Sequence, residues 1–556
     1  MTNLYPPQKQ FWKNKMFGKK KEDNFKINFE KEQTAHTAHT ASTKLGRAPT
    51  TIATALKYHK KQDRTNPVPF IKQAVLEKDN YYGQDYENKD KVFSIPQDEV
   101  THSLFVGSTG TGKGVILGNR VYQAIHEKRG VIVVDPKNDN FLPQIIKEKI
   151  EADGRQSSDF KMCYFPTKWG YKAITERDTY LEISNKLISL FGYEPSSNPG
   201  VDHYRSLGRT LLRRLMKMFF VEFSLETIIK KDFEDIKKHI IFLKQDLEKI
   251  KLYEKELGKT RPNAELLEKY SKRYYNPDVL EKLYFADSDV QTLDNLAIKF
   301  NEISEGANFE NDIDIADALY NGKVVYIRVD MNDIASLQWV KYLITDMIQN
   351  AKKKTANTSI FLDELSFYGT KTLAGALATV RSMGLEFAIF IQAVSQLNEE
   401  IRDDILENCN FKMFYKTSNP TTLDLIKTLG GVEAITKISI KDGAQSYSQD
   451  FESYLNETKI RALPRTSVGV VIAEYLPFPK LIQTNFIATK KIFDWTKYQN
   501  YSNKNDYKDI EADKNLSDNK AETKAKLDKY RVYLKESKSL LEDSDLFGIT
   551  LGSEAI

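Results

Sequence analysis

The stretch "GSTGTGKG", residues 107–114, is where residue types and spacing first point to chemistry. Gly107, Gly110 and Gly112 let the backbone curl so that successive N–H groups face inward as an anion nest. Lys113 supplies a point charge for the β- and γ-phosphates of ATP, and the helix expected after it adds the partial positive charge of its N-terminus. The phosphate cradle is Gly107, Ser108, Thr109, Gly110, Thr111, Gly112, Lys113, Gly114 and Val115. The usual pattern ends in Ser or Thr, whose hydroxyl helps to hold Mg²⁺, whereas this chain has Gly114. One hydroxyl is lost from the metal shell, while the nest and the lysine stay. A water, or the hydroxyl of Thr109 or Thr111, is expected to fill the gap, because Mg²⁺ keeps several waters.

A second constellation is "SIFLDELSFYG", residues 359–369. Four largely apolar residues lead into Asp363 and Glu364. Asp363 is expected in the Mg²⁺ shell, and Glu364 is expected to orient or deprotonate an attacking water. The competing reading is a strand that ends in two solvated acids. Further on, Gln392 closes the apolar run "EFAIFIQAV", where its amide can sense a γ-phosphate or its water. Arg381 precedes that run and suits an arginine finger reaching a neighbouring subunit. Taken alone, Gln392 and Arg381 are equally well read as structural. Arg205, Arg209, Arg213 and Lys217 recur every four residues, within about a third of a helix circumference. That stripe is either a contact surface for a DNA phosphate backbone or a solvated face. The lysines at 352–354 read as a solvated surface turn.

These groups need a scaffold. "HSLFVG" (102–107) reads as a buried strand, "GVILGNRVYQAIHEK" as a helix, and "GVIVVDPKND" (130–139) as a second strand ending in Asp135. Strand, loop, helix and strand form a βαβ unit, with ligands expected at the strand C-termini of a parallel sheet. Strand signals return at 323–331, 358–365, 386–394, 410–418 and 468–476. Between the two sets, residues 179–320 show helical periodicity. Ile229, Phe233, Ile236, Ile240, Leu243, Leu247, Ile250 and Leu257 form an a/d seam, read as a helical hairpin or as a self-association coil. The expected fold class is α/β: a P-loop NTPase core with a mostly parallel sheet and an inserted all-α domain. The expected divisions are a loosely structured segment (1–91), the first core part (92–178), the all-α insertion (179–320), the second core part (321–497) and a charged tail (498–556). That tail carries one amphipathic helix near 520–541 and an acidic end.

Composition is that of a soluble globular chain: 556 residues, 40% hydrophobic and 29% charged. A net charge of +5 does not by itself mark a nucleic-acid binder, so any DNA contact must come from a local patch. Cys163 and Cys409 match no metal spacing and fit a reduced, cytosolic chain. No apolar run approaches a membrane span. "TAHTAHTAST" (34–43) is low-complexity. "FWKNKMFGKKK" (11–21) combines five lysines with Phe11, Trp12 and Phe17, and is either a solvated tail or a peripheral anchor on anionic lipid.

The order "THSLFVGSTGTGKGV", "VIVVDPKND", a helical region, "VVYIRVDM", "FLDEL", "VRSMG", "FIQAVSQL" and "KIRALPRTSVGVVIAEYLPFPKL" resembles the coupling ATPases of type IV secretion and conjugation, the TraD/TraG class, over roughly residues 92–490. The phosphate loop and "FLDEL" are general to RecA-like motors; the "DPK" strand end and the R…G…Q run are more specific. The resemblance implies a RecA-like core and a hexameric, DNA-dependent ATPase that delivers DNA or relaxase–DNA complexes to a type IV secretion channel. It implies Lys113 and Asp363 for ATP and Mg²⁺, Glu364 for the water, Arg381 as the trans arginine and Gln392 as the sensor. It also implies a cytoplasmic protein working at the inner face of the membrane. Members usually carry N-terminal transmembrane helices, which this sequence lacks; part of the class also reads G-K-G-V at the loop. Two other functions remain open: a different ring motor, such as a secretion-assembly ATPase or an FtsK/HerA-like translocase, and a nucleotide-binding scaffold without turnover.

Overall fold

A computed structural model of the chain describes residues 66–137, 139–165, 171–222, 287–304, 313–441, 444–465 and 467–495. The 11–21 and 34–43 segments, the 229–257 seam and the 498–556 tail lie outside the described residues. The chain divides into two units, 1–490 and 491–556, and the account below concerns the first.

The elements begin with α1 (Val68–Glu77), β1 (Asp79–Asp85), β2 (Val92–Pro96), β3 (Ser103–Val106), α2 (Lys113–His126), β4 (Gly130–Asp135), α3 (Leu142–Ala152) and β5 (Phe160–Phe165). A helical stretch follows with α4 (Tyr180–Leu190), α5 (Pro199–Glu222), α6 (Asp287–Ser304) and α7 (Ile315–Asn321). Then come β6 (Val324–Val329), α8 (Ile334–Lys353), β7 (Thr358–Leu362), α9 (Lys371–Val380), β8 (Leu385–Ile391), α10 (Glu399–Asn408), β9 (Phe411–Tyr415) and α11 (Pro420–Leu429). The last are β10 (Val432–Lys441), β11 (Ala444–Ser453), α12 (Glu457–Arg461), β12 (Val468–Ala473) and β13 (Lys480–Gln483).

Eleven strands form one sheet in the order β2-β1-β13-β12-β9-β3-β8-β7-β4-β6-β5. From β9 to β5 every neighbouring pair is parallel. All of these except β5, which the sequence reading did not mark, read as largely apolar strands, and β3, β4, β6, β7, β8 and β9 are buried along their whole length. A sheet covered by helices on both faces demands that pattern. The mostly parallel α/β expectation therefore holds, with an antiparallel wing of β12, β13, β1 and β2 added. β10 and β11 make a separate two-stranded hairpin.

Besides β5 and the β10–β11 hairpin, which the sequence reading did not mark as strands, three further features differ from it. Residues 68–85, inside the segment read as loosely structured, form α1 and β1, and β1 pairs with β13 and β2. Tyr81 and Tyr82 are fully buried there, Tyr82 stacking on Phe411 at 3.9 Å, so tertiary contacts override a polar local pattern. Lys352 and Lys353 lie in the last turn of α8 rather than in a surface turn, where cations suit the helix C-terminus. Finally, the described helices of the region 179–320 share the sheet's core. Leu187 of α4 and Leu319 of α7 belong to the same cluster as Ile132 of β4 and Ile389 of β8.

An ion network pins α4 to α8. Lys186 Nζ lies 2.8 Å from Asp178 Oδ1 and 2.7 Å from Asp346 Oδ1, with all three side chains buried. Tyr171 donates to the other Asp346 oxygen, and Asn350 donates to Oδ1 at 2.9 Å. Such a network stabilises only while it is complete; removing one partner leaves a buried charge and costs about 3–5 kcal/mol.

Candidate nucleotide site

The sheet order puts the C-terminal ends of β3, β8, β7 and β4 side by side, about 4.8 Å apart. The phosphate loop follows β3, Gln392 follows β8, Asp363 and Glu364 follow β7, and Asp135 ends β4. Residues from four distant stretches therefore meet along one edge.

The loop has the geometry its glycines foreshadow. Gly110 and Gly112 have φ of 79° and 118°, in the left-handed region. At Gly112 an added Cβ would stand 2.4 Å from Ser467 Cα, so a side chain there is blocked by backbone. Ser467 closes on the loop, its N–H donating to Thr111 O at 3.1 Å. The Thr111 hydroxyl donates to Ser108 O at 2.7 Å, so it braces the loop's own turn, contrary to its expected availability to a metal. α2 starts at Lys113 with no side-chain cap; the Val115 N–H donates to Gly112 O at 2.9 Å, which leaves the N–H groups of Lys113 and Gly114 for an anion. Gly114 and Val115 continue that turn. Gly114 is exposed, and nothing lies within 4 Å of a Cβ added to it.

Lys113 is buried and donates to Ile391 O at 2.9 Å. Its ammonium is 3.5 Å from Glu364 Oε1. Gln392 Nε2 donates to the same oxygen at 3.2 Å, and Lys137 Nζ lies 2.5 Å from it. Three donors on Oε1 fix the carboxylate and leave Oε2 buried with no partner. Glu364 itself has φ 52°, a left-handed setting that costs a non-glycine residue about 1 kcal/mol or more. Burial alone would raise the Glu364 carboxyl, but Lys113, Lys137 and Gln392 outweigh it and hold the group below its ordinary value. Asp363 receives the Glu364 N–H on Oδ1 at 3.1 Å and Lys137 on Oδ2 at 2.9 Å. Burial raises its carboxyl in spite of Lys137. Burial and the nearby Asp363 push Asp135 up to about 8, while Tyr326 and the Lys137 N–H donate to it.

The arrangement fits a magnesium nucleotide. An uncapped helix N-terminus, a cationic Lys113 and an unpartnered buried acceptor at Glu364 Oε2 suit a polyphosphate and its water. Among the described residues no group of three or more His, Cys, Asp or Glu could hold a metal. Mg²⁺ takes one or two carboxylates plus phosphates, and Asp363 is the carboxylate at the strand end that could supply one.

Other expected residues stand apart. Arg381 is exposed after α9 and donates to Thr101 Oγ1 at 3.0 Å and to the Asp98 carbonyl. Those partners precede β3, so Arg381 lies at the sheet edge opposite its own phosphate loop. Of the basic stripe, Arg205 donates to Glu194 O at 3.1 Å, and Arg209 donates to Tyr193 O at 2.8 Å and pairs with Asp202. These two hold the turn between α4 and α5, while Arg213 and Lys217 are exposed. Lys137 was not singled out from sequence. The "DPK" strand end was visible, but its lysine's partners belong to β7. Beside the loop is a cleft of about 280 Å³, walled by Ser108, Thr111, Lys416, Thr417, Ser418, Arg461 and Arg465.

Residues 357–466 match the family model described as the TraM recognition site of TraD and TraG. A segment of 87 residues is 32% identical to the type 4 coupling protein DotL of Legionella pneumophila, covering 16% of this chain and 11% of that relative's length. The bacterial conjugative coupling protein TrwBdeltaN70, in its unbound monoclinic form, is similar in fold with a TM-score of 0.51 at 16% identity, covering 72% of this chain and 88% of that one. The plasmid coupling protein TrwB in complex with the non-hydrolysable GTP analogue GDPNP gives 0.50 at 17% identity, over 72% and 90%. Among the described residues no helix is long and apolar enough to cross a membrane. The segment 357–466 is thus similar to the TraD and TraG family, and the chain shares the fold of the coupling protein TrwB.

Proposed function

We propose that this chain is a Mg²⁺-dependent ATPase that couples hydrolysis to delivery of DNA, or of a relaxase–DNA complex, to a type IV secretion channel. The carrying observation is the convergence of Lys113, Gln392 and Lys137 on Glu364 Oε1, which leaves Oε2 as the buried free acceptor. Lys113 and the N–H groups of the 107–115 loop bind phosphate, except those of Gly107, Thr111 and Val115, which donate to carbonyls within the protein. Asp363 would hold Mg²⁺, which would supply charge neutralisation at the phosphates. Glu364 Oε2 orients the attacking water and takes its proton, and Gln392 keeps the carboxylate turned for that task.

Arg381 lies at the opposite sheet edge from its own loop, so its catalytic role requires a neighbouring copy, as in a homo-hexameric ring. Arg213 and Lys217 are the members of the stripe free to meet DNA phosphates. The description of the matched segment as a TraM recognition site supports a relaxosome protein as a partner. The protein works on the cytoplasmic side of the membrane, by a peripheral contact through residues 11–21 or through channel subunits.

ATP hydrolysis measured across protein concentration, with and without single- and double-stranded DNA, tests the reading. A DNA-stimulated rate that rises per subunit with concentration and vanishes in Lys113→Ala supports it. Equal rates with and without DNA would count for a different ring motor, and tight ATP binding without phosphate release for a scaffold.

A further inference from the structure

Asp363 and Glu364 share a cation that the chain itself supplies. Lys137 Nζ lies 2.9 Å from Asp363 Oδ2 and 2.5 Å from Glu364 Oε1. Its backbone is fixed, because the Lys137 N–H donates to Asp135 Oδ1 at 2.7 Å where β4 ends next to β7. The other Asp363 oxygen, Oδ1, is taken by the Glu364 N–H. A divalent cation approaching Oδ2 therefore meets an ammonium already in contact with it. Lys113 is placed differently: it is buried and tied to the Ile391 carbonyl, whereas Lys137 is 36% exposed on a flexible stem.

We propose that Lys137 is an internal competitor of the divalent cation at Asp363, one that yields when nucleotide phosphate offers its ammonium a better partner. Metal affinity is then low without nucleotide and high with it, so metal and nucleotide bind cooperatively. This rests on the nucleotide-site reading above. The physical basis is short-range repulsion. Two cations within a few ångströms at a partly buried site oppose each other by several kT, reduced by the solvent that reaches Lys137. A phosphate close by reverses the sign of that effect, because the lysine then has a second anion to pair with. Lys137 is thereby a positioning residue whose charge decides when Asp363 is free.

The test titrates Mn²⁺ alone into the full chain and follows free metal by electron paramagnetic resonance. Lys137→Met is expected to bind Mn²⁺ about tenfold more tightly than the unaltered protein. Lys137→Arg, which keeps the charge, should restore weak binding, and Asp363→Asn in the Lys137→Met background should abolish the tight site. With saturating ADP, the gap between Lys137→Met and the unaltered chain should close or reverse. Equal or weaker Mn²⁺ binding by folded Lys137→Met without nucleotide overturns the proposal, as does a gap that persists unchanged with ADP. Failure of the unaltered protein to bind ADP would refute the nucleotide-site reading, while the nucleotide-free Mn²⁺ comparison would still decide the competition at Asp363.

Discussion

Lys113 Nζ and Glu364 Oε1 stand 3.5 Å apart, both side chains buried, although 251 positions separate them in the chain (364 minus 113). In the proposed mechanism the pair links a phosphate-binding charge to a carboxylate that handles water, so the two substitutions should separate binding from chemistry. Lys113→Ala is expected to remove ATP binding, measured by calorimetry. Glu364→Gln should retain binding and lower turnover by about 10²–10⁴-fold, as loss of a general base does.

Gly114 and Gly112 should respond in opposite ways. At Gly114 an added Cβ meets nothing within 4 Å, so Gly114→Thr should leave the melting temperature unchanged. Its hydroxyl restores a metal-shell oxygen, and half-maximal hydrolysis should need less Mg²⁺. If Gly114→Thr instead creates activity where there was none, the loop is the remnant of a motor. At Gly112, φ 118° and the Ser467 backbone 2.4 Å from a new Cβ forbid a side chain. Gly112→Ala should lose nucleotide binding and cost about 1–3 kcal/mol in urea unfolding.

Glu386 offers a test of stability against pH away from the site. It pairs with Arg120 at 2.8 Å and Arg129 at 2.6 Å. Burial alone would raise its carboxyl, but the two arginines hold it below the ordinary value of 4.5. A carboxylate with a depressed folded pKa adds stability that is fully present above its unfolded value and is lost as pH falls through the folded one. Urea midpoints should therefore drop below about pH 4.5 in the unaltered chain, and that acid limb should be shallower in Glu386→Gln. At neutral pH Glu386→Gln should cost about 3–5 kcal/mol, because two arginines lose their buried counter-charge.

The basic stripe on α5 should split in two. Arg209→Ala is expected to loosen the turn that it fastens through Tyr193 O and Asp202, lowering the melting temperature. A double Arg213→Glu, Lys217→Glu variant should keep the melting temperature and weaken DNA binding about equally across sequences, with a smaller salt dependence. Fluorescence anisotropy at two salt concentrations distinguishes the two effects. Unchanged DNA affinity in the double variant would make the stripe a solvated face.

Much of this was legible in the sequence, because it depends on local chemistry. Gly110, Gly112 and Lys113 announce a phosphate loop, since φ above zero and an uncapped helix start are local requirements. The apolar runs "IFL" and "FAIFI" announce buried parallel strands and place Asp363, Glu364 and Gln392 at their ends. β1 and the β10–β11 hairpin were not legible. "DNYYGQD" and "ITKISIK" carry too many polar residues to show a buried face, and β1 is a strand only because β13 and β2 pair with it.

The tertiary structure alone decided which strand ends are neighbours. The order β3-β8-β7-β4 is not the order of the chain, and it is what turns Lys113, Gln392 and Lys137 toward one oxygen of Glu364. Likewise, only the folded structure assigns Arg205 and Arg209 to a turn and Lys137 to Asp363, while a contact three residues back holds the Thr111 hydroxyl in its own loop. Residue types and spacing fix what each group is able to do, whereas partners distant in sequence fix which of those abilities is used.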